Sequence, residues 1–114
     1  MTGNTVYFGH RRNGTTVVWR INESRERSQL PARLDLRNHS PTGFEWGYGG
    51  SGPEQLALAI LADASRDALR AVRLYQFFKW RVVSKFPRDE FIFSRNQVIE
   101  AVQHIEDERK ADAK

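Results

Sequence analysis

Apolar and polar residues alternate near the start of the chain in the pattern of a β-hairpin. The alternation covers residues 5–21 and is interrupted by Asn13-Gly14, a pair that tolerates positive φ and is the strongest short signal for a hairpin turn. Strand-like spacing on both sides of that pair predicts two antiparallel strands. The matching apolar rows are Val6 and Phe8 on the first strand and Val17, Trp19 and Ile21 on the second.

A second alternating stretch predicts a third strand at residues 32–37, with one face in water. The polar segment 22–31 before it is expected to be a loop, and turn-forming residues fill 38–43 after it. The apolar side consists of Ala32, Leu34 and Leu36, and the polar side of Arg33, Asp35 and Arg37.

Helical periodicity then predicts three helices. The first spans about 53–64, with either Ser51 or Gly52 as its N-cap, and the second runs from about 67 to 86, where Pro87 ends it. Residues 91–93 form a candidate short strand. Ser94 and Gln97 have the spacing of a capping box that opens a third helix through Ile105, and residues 106–110 are expected to be a solvated face or a frayed tail.

These elements predict a single α+β domain, a small antiparallel sheet of about three strands packed by about three helices. The hairpin and third strand occupy 5–37, a Gly/aromatic turn 38–52, the helical part 53–109 and a tail 110–114. A length of 114 residues suits one domain. With no long apolar run, no signal-like N-terminus and no cysteine, we expect a cytoplasmic protein without membrane contact.

One unusual block carries a resemblance to a known family. Residues 38–57 read Asn-His-Ser-Pro-Thr-Gly-Phe-Glu-Trp-Gly-Tyr-Gly-Gly-Ser-Gly-Pro-Glu-Gln-Leu-Ala, with weaker echoes at Tyr7, Gly9, Arg11, Leu74-Tyr75-Gln76 and Phe78-Lys79-Trp80. This block resembles a domain family of unknown function found in bacteria, phages, plasmids and integrated elements. The resemblance implies a shared α+β fold and a mobile-element context. It implies no catalytic residues.

The glycine-rich turn before the first helix is a candidate ligand or anion site. Free N–H groups at a helix N-terminus attract anions, although the spacing fits neither a Walker A loop nor the dinucleotide fingerprint. The alternative is a tight corner in which glycine permits close packing. Of the nearby rings we expect Phe44 and Trp46 in the core and Tyr48 exposed. The candidate residues are Tyr48, Gly49, Gly50, Ser51 and Gly52.

The second predicted helix and its flanks are strongly basic. Residues 66–88 contain seven cations and one acid, and most of the cations share one side of the helix, with Leu74 among them. This side is either a second packing contact, with the C-terminal helix or another subunit, or a surface for a partner or nucleic acid. The hairpin tip, with Arg20, Arg33 and Arg37 on the wet sheet face, could extend it. The candidate residues are Arg66, Arg70, Arg73, Phe77, Trp80, Arg81 and Lys85, with Arg11 and Arg12 at the tip.

Catalytic signals are weak. His10, His39 and His104 lack metal-ligand spacing, so no metal or cofactor is expected and the protein is not expected to be an enzyme. His39 with Glu45 and a serine, Ser40 or Ser51, would make a conceivable Ser/His/acid group. A turn residue with a local hydrogen bond is the simpler interpretation of His39.

Three functions follow from these features. The first is a non-catalytic accessory protein of a mobile element that acts through a protein or ribonucleoprotein partner, for example as an anti-CRISPR-like inhibitor of host defence. The net charge of +4 and pI near 9.9 argue against DNA mimicry and favour an acidic partner. The second is direct DNA or RNA binding by the basic helix, and the third is an enzyme for a small phosphate ligand. The oligomeric state is open, with a dimer possible.

Overall fold

The computed structural model describes residues 4–112 as a four-stranded antiparallel sheet with three α-helices. The sheet order is β3-β2-β1-β4, and a short 3₁₀ turn separates α2 from β4. The predicted α+β class, with a single domain, is confirmed. The elements are β1 Val6–Arg12, β2 Thr15–Ile21, β3 Arg27–Gln29, α1 Ser51–Ser65, α2 Ala68–Arg81, the 3₁₀ turn Val83–Lys85, β4 Glu90–Ser94 and α3 Arg95–Asp112.

The predicted hairpin is confirmed. Asn13 and Gly14 have φ values of 53° and 78°, so both central residues of the turn take the left-handed conformation that suits a tight hairpin. Phe8 pairs with Trp19 and Val6 with Ile21, so the predicted apolar rows meet across the two strands.

The predicted third strand at 32–37 is wrong. This segment is a turn in which Arg33 has a φ of 58° and accepts a backbone hydrogen bond from Leu36 at 3.0 Å. The edge strand β3 instead forms earlier, in the segment expected to be a loop. There the side chain of Asn22 accepts hydrogen bonds from the amides of Ser24 and Glu26, which turns the chain back along β2.

The fourth strand is longer than the short strand that the sequence predicts at 91–93. β4 spans Glu90–Ser94 and pairs antiparallel with β1, opposite the hairpin partner. At its end the predicted capping box is present: Ser94 Oγ accepts from the Gln97 amide at 3.1 Å, and Gln97 Oε1 accepts from the Ser94 amide at 2.9 Å. α3 then continues through 110–112, which the sequence assigns to the tail; residues 113–114 lie outside the described residues.

The central helix of the fold is α1. Its residues 55–62 are all buried, as expected of a helix surrounded by other elements. Its N-cap is Gly50, in an extended conformation and without a side-chain cap, so both predicted caps, Ser51 and Gly52, are wrong. These two residues already belong to the helix.

α2 ends at Arg81, five residues before the predicted end. Val82 leaves the helical conformation with φ −126°, and the 3₁₀ turn follows. Pro87 then requires the preceding Phe86 to be extended, which its ψ of 142° satisfies. The early end brings the segment 83–88 back toward Gly47, whose amide donates to Val83 O at 3.1 Å.

All three helices lie on one side of the sheet. Tyr7, Val18 and Phe91 are buried on that side, and the ring of Phe78 from α2 contacts Phe93 of β4, with ring centroids 6.3 Å apart. The alternate strand positions point to the other side. That side carries the apolar rows found in the sequence, and no helix of residues 4–112 covers it.

Candidate functional site

The turn before α1 is a corner where glycines permit close packing. A Cβ on Gly49 would lie 2.3 Å from the Trp80 ring, and one on Gly50 would lie 2.7 Å from the Tyr48 ring. A Cβ on Gly52 would lie 2.6 Å from Glu45 Cβ, and Gly47 has a φ of 87°. Each glycine therefore has a structural reason for being there. We call residues 47–52 the glycine corner.

The ring predictions for this region agree with the structure. Trp46 is buried and donates its indole N–H to Arg88 O at 2.9 Å, and Phe44 packs partly buried against the core. Tyr48 is 52% exposed.

The N-terminus of α1 has few free backbone amides that could bind an anion. Pro53 has no N–H, and the Glu54 amide already donates to Gly50 O at 2.9 Å. The amides left in the first turn are those of Ser51 and Gly52, and the Glu54 carboxylate places a negative charge in the same turn. A cavity of about 300 Å³ beside Glu45 is lined by Thr15, Thr16 and neighbouring residues, not by the predicted ligand residues 48–52.

A polar cluster that the sequence did not reveal lies behind the glycine corner. The Glu54 carboxylate is 3.1 Å from His39 Nδ1 and accepts from Lys79 Nζ at 3.4 Å and from Gln76 Nε2 at 3.2 Å. His39 Nε2 lies 2.7 Å from the Tyr75 hydroxyl. Lys79 is buried, so its charge is balanced inside the fold by Glu54.

The local role expected for His39 is therefore wrong, because its partners are long-range. The Ser/His/acid group is also absent among the described contacts: Glu45 binds Arg11, and Ser40 Oγ donates to Gly43 O at 2.7 Å. One feature of the sequence could have indicated this polar cluster: His39, Tyr75, Gln76 and Lys79 all lie in the segments that carry the family resemblance.

The basic side of α2 faces acidic residues of α3. Arg70 makes two hydrogen bonds to the Glu106 carboxylate at 2.5 and 3.1 Å, and Arg73 lies 4.0 Å from the same group. The hydrogen bonds from Arg70 lower the pKa of Glu106. Arg81 pairs with Glu108. Residues 106–108, expected to be a solvated face or frayed tail, thus neutralise much of the basic helix.

The apolar residues beside these cations divide into packing and surface positions. Leu74 is buried, and the Phe77 ring centroid lies 4.5 Å from the guanidinium of Arg109, so α3 makes the second packing contact. Trp80 is 58% exposed next to Gly49. One of the basic-helix candidate residues, Trp80, therefore lies at the glycine corner. Arg66, by contrast, caps the far end of α1, roughly 20 Å away for a helix of this length.

The two arginines at the hairpin tip have different surroundings. Arg11 forms a two-pronged ion pair with Glu45 at 2.7 and 2.9 Å, and this hydrogen bonding lowers the pKa of Glu45. Arg12 is exposed. The expected wet sheet face with three arginines is wrong: Arg20 binds Asp63 on the helix side at 2.8 Å, and Arg33 and Arg37 lie in the turn.

The side of the sheet away from the helices, which we call the open face, is largely apolar. Its central residues are only half-buried, and Ile92 is 66% exposed. The guanidinium of Arg27 lies 4.4 Å from the Trp19 ring centroid, and His10 stacks on Phe8 at 5.5 Å. Sequence periodicity predicts the apolar rows of the hairpin but does not predict which side of the sheet they face. The apolar residues of the open face are Val6, Phe8, Val17, Trp19, Ile21 and Ile92.

Fold and surfaces together define a small α+β domain with an uncovered sheet face and an aromatic corner at the start of its central helix. Residues 7–104 match the family described as "Family of unknown function (DUF6166)", and the chain belongs to that family. No curated protein and no solved structure matches the chain. No helix in the described range 4–112 is long and apolar enough to cross a membrane, and no group of three or more metal-binding side chains occurs there.

Proposed function

We propose that this protein is a non-catalytic binding protein that acts through a protein or ribonucleoprotein partner. The observation that carries the proposal is the open face. Six apolar side chains from three neighbouring strands form one continuous surface that no element of residues 4–112 covers. Contiguous apolar surface of this kind marks interaction sites in soluble proteins.

The charges around the open face indicate what kind of partner fits it. Arg12 and Arg27 project on this side of the sheet, as does Glu90 at the end of β4. Cations thus outnumber acids at its rim. A protein with an apolar centre and an acidic periphery would complement this surface, and the charges would speed its association.

The proposal includes a biological context, that of a mobile genetic element. We infer a bacterial mobile element, such as a phage or plasmid, from the Asn-His-Ser-Pro-Thr-Gly block and its continuation through the glycine corner. We propose an accessory protein of such an element that works in the cytoplasm, for example as an anti-CRISPR-like inhibitor of a host defence complex. The basic balance of the chain supports contact with an acidic surface rather than imitation of DNA.

The two other functions have less support. Direct nucleic-acid binding by α2 is weakened because Arg70, Arg73 and Arg81 are already paired with acids of α3. An enzyme for phosphate ligands is weakened by the few free amides and the Glu54 carboxylate at the N-terminus of α1.

The test is to identify the partner and measure its binding to open-face variants. Tagged protein would be cross-linked in a host that carries the element, the partner identified by mass spectrometry, and the purified pair measured by calorimetry. Ile92→Glu places a charge within the face, on its edge strand β4, without disturbing the core, because Ile92 is 66% exposed. We expect it to weaken binding at least tenfold. Arg27→Glu should mainly slow association, and more so at low salt.

Leu69→Glu is the matched control. Leu69 lies on α2 and is 81% exposed, so the same change of an exposed apolar residue is made on the helix side. Equal effects of Ile92→Glu and Leu69→Glu would refute the assignment of the open face. A dimer in light scattering that Ile92→Glu converts to monomer would also refute it, because a second copy would then occupy the face.

A further inference from the structure

Two glycines at the corner each support an exposed aromatic ring. The Trp80 ring lies against the backbone of Gly49, so close that a Cβ there would be 2.3 Å from the ring carbons. Lys79 Nζ is 4.3 Å from the centroid of the same ring. The Tyr48 ring lies against Gly50 in the same way, at 2.7 Å from the position of a Cβ. Because Gly49 and Gly50 are consecutive, both rings belong to the same glycine corner.

Both rings remain open to solvent although they are supported from one side. Trp80 is 58% exposed and Tyr48 is 52% exposed. An aromatic ring that is held in place by backbone and has a free surface loses little entropy when a planar group stacks on it. We call Tyr48 and Trp80 the ring platform.

The segment 83–88 beside the platform carries exposed cations that form no ion pair with residues 4–112. Lys85 and Arg88 are exposed, and neither has an ion-pair partner among residues 4–112. Arg88 is close to the corner, since its Cα lies 4.0 Å from the position of a Cβ on Gly47. By contrast, Lys79 and Arg11 are bound to Glu54 and Glu45.

We propose that the ring platform binds single-stranded nucleic acid, with bases stacked on Tyr48 and Trp80 and phosphates near Lys85 and Arg88. Rings beside unpaired cations are the combination that single-stranded binding proteins use. Aromatic surfaces also bind proline-rich peptides, but such peptides have no need of the neighbouring positive charges. The site includes Trp80 and Lys85 of the basic-helix candidates but not the arginines that pair with α3, and it is separate from the open face. It therefore goes beyond the proposed function and stands or falls separately.

The experiment measures fluorescence anisotropy of labelled oligothymidylate and oligouridylate across a salt series. Trp80→Ala and Tyr48→Ala should each weaken binding on the order of tenfold, and Trp80→Phe should retain most of it. Gly49→Ala should weaken binding to a similar extent, because its methyl group displaces the Trp80 ring while the fold, checked by circular dichroism, is kept. Lys85→Glu with Arg88→Glu should weaken binding and flatten its salt dependence, by about 0.7 in log–log slope for each phosphate that is no longer neutralised.

The charge control is Arg66→Glu with Arg25→Glu, which makes the same change in net charge at two exposed sites, one at the C-terminal end of α1 and one in the turn between β2 and β3. We expect it to alter affinity less than twofold, and Ile92→Glu to leave oligonucleotide binding unchanged. No binding at about 100 μM protein in low salt, the weak end of non-specific affinity, would overturn the proposal. Equal weakening by both charge pairs, full affinity in Trp80→Ala, or binding of oligoproline in place of the oligonucleotides would also overturn it.

Discussion

Gln55 holds the long loop before the glycine corner onto α1, and its replacement should destabilise the whole domain. The side chain is completely buried. Its oxygen accepts from the amides of His39 and Ser40 at 2.8 and 3.2 Å, and its nitrogen donates to Ala32 O and Arg37 O at 2.6 and 3.0 Å. One side chain thus satisfies four backbone groups of the 32–40 segment.

The cost of Gln55→Leu follows from those four groups. Each buried backbone group left without a partner costs about 1–3 kcal/mol, which gives a gross destabilisation of roughly 4–12 kcal/mol. Arg37 is exposed and His39 and Ser40 are only partly buried, so the loop can relax and admit water. We therefore expect a net destabilisation of about 3–5 kcal/mol, a large share of the 5–15 kcal/mol typical of a domain.

Urea unfolding of the variant and the wild type would measure this destabilisation. Hydrogen exchange should show faster exchange of the His39 and Ser40 amides, because both donate to Gln55. Gln103→Leu is the control: Gln103 is exposed on α3 and donates only to Asp107, so about 0.5 kcal/mol or less is expected. A change below about 1 kcal/mol for Gln55→Leu, with unchanged amide protection, would refute the reasoning.

Three further predictions concern packing and pH. Gly9→Ala should cost about 1–3 kcal/mol in thermal unfolding, because its Cβ would lie 2.2 Å from the buried Phe91 ring; an unchanged melting temperature would contradict this. Arg11 lowers the pKa of Glu45, so the ion pair stabilises the fold fully above the ordinary value of 4.5, and this stabilisation is lost as pH falls from 4.5 through the lowered pKa of the folded state. Urea titrations of Glu45→Gln and wild type should therefore converge in acid, and a constant gap would count against the pair. Burial and the Asp63 carboxylate raise the pKa of Tyr7, so the folded state holds this proton more tightly and stability should fall as pH rises above 10.0. Tyr7→Phe should lack that part of the alkaline decline, which unfolding at a series of alkaline pH values would reveal.

Local signals in the sequence predict the elements that local chemistry determines. Asn13-Gly14 can form the tight turn by itself, and Ser94 with Gln97 caps α3 through hydrogen bonds three residues apart. Both are predictable because neither depends on distant residues. The hydrophobic periodicity of α1 is equally informative, since its buried positions continue through the helix.

Long-range contacts explain where the sequence misleads. The alternation at 32–37 suggests a strand, but Gln55 from α1 binds the backbone at both ends of the segment and holds it as a turn. The basic side of α2 suggests a free charged surface, but the acid that binds Arg70 lies more than thirty residues later, on α3. Neither contact leaves a periodic signal in its own segment. The same holds for the ring platform, where Gly49 and Trp80 are brought together by the packing of α1 against α2.

The open face and the ring platform could bind one composite partner or two separate ligands, and variants of the two surfaces can distinguish these cases. The open face lies on one side of the sheet, while the ring platform lies on the helix side. If the partner is a ribonucleoprotein that both surfaces contact, Ile92→Glu and Trp80→Ala should each weaken the same complex. Their effects on its dissociation constant should then multiply, because two linked contacts contribute to one affinity. If protein and nucleic acid are separate ligands, each variant should affect only its own ligand. The double variant measured against both ligands therefore decides between one composite partner and two independent ones.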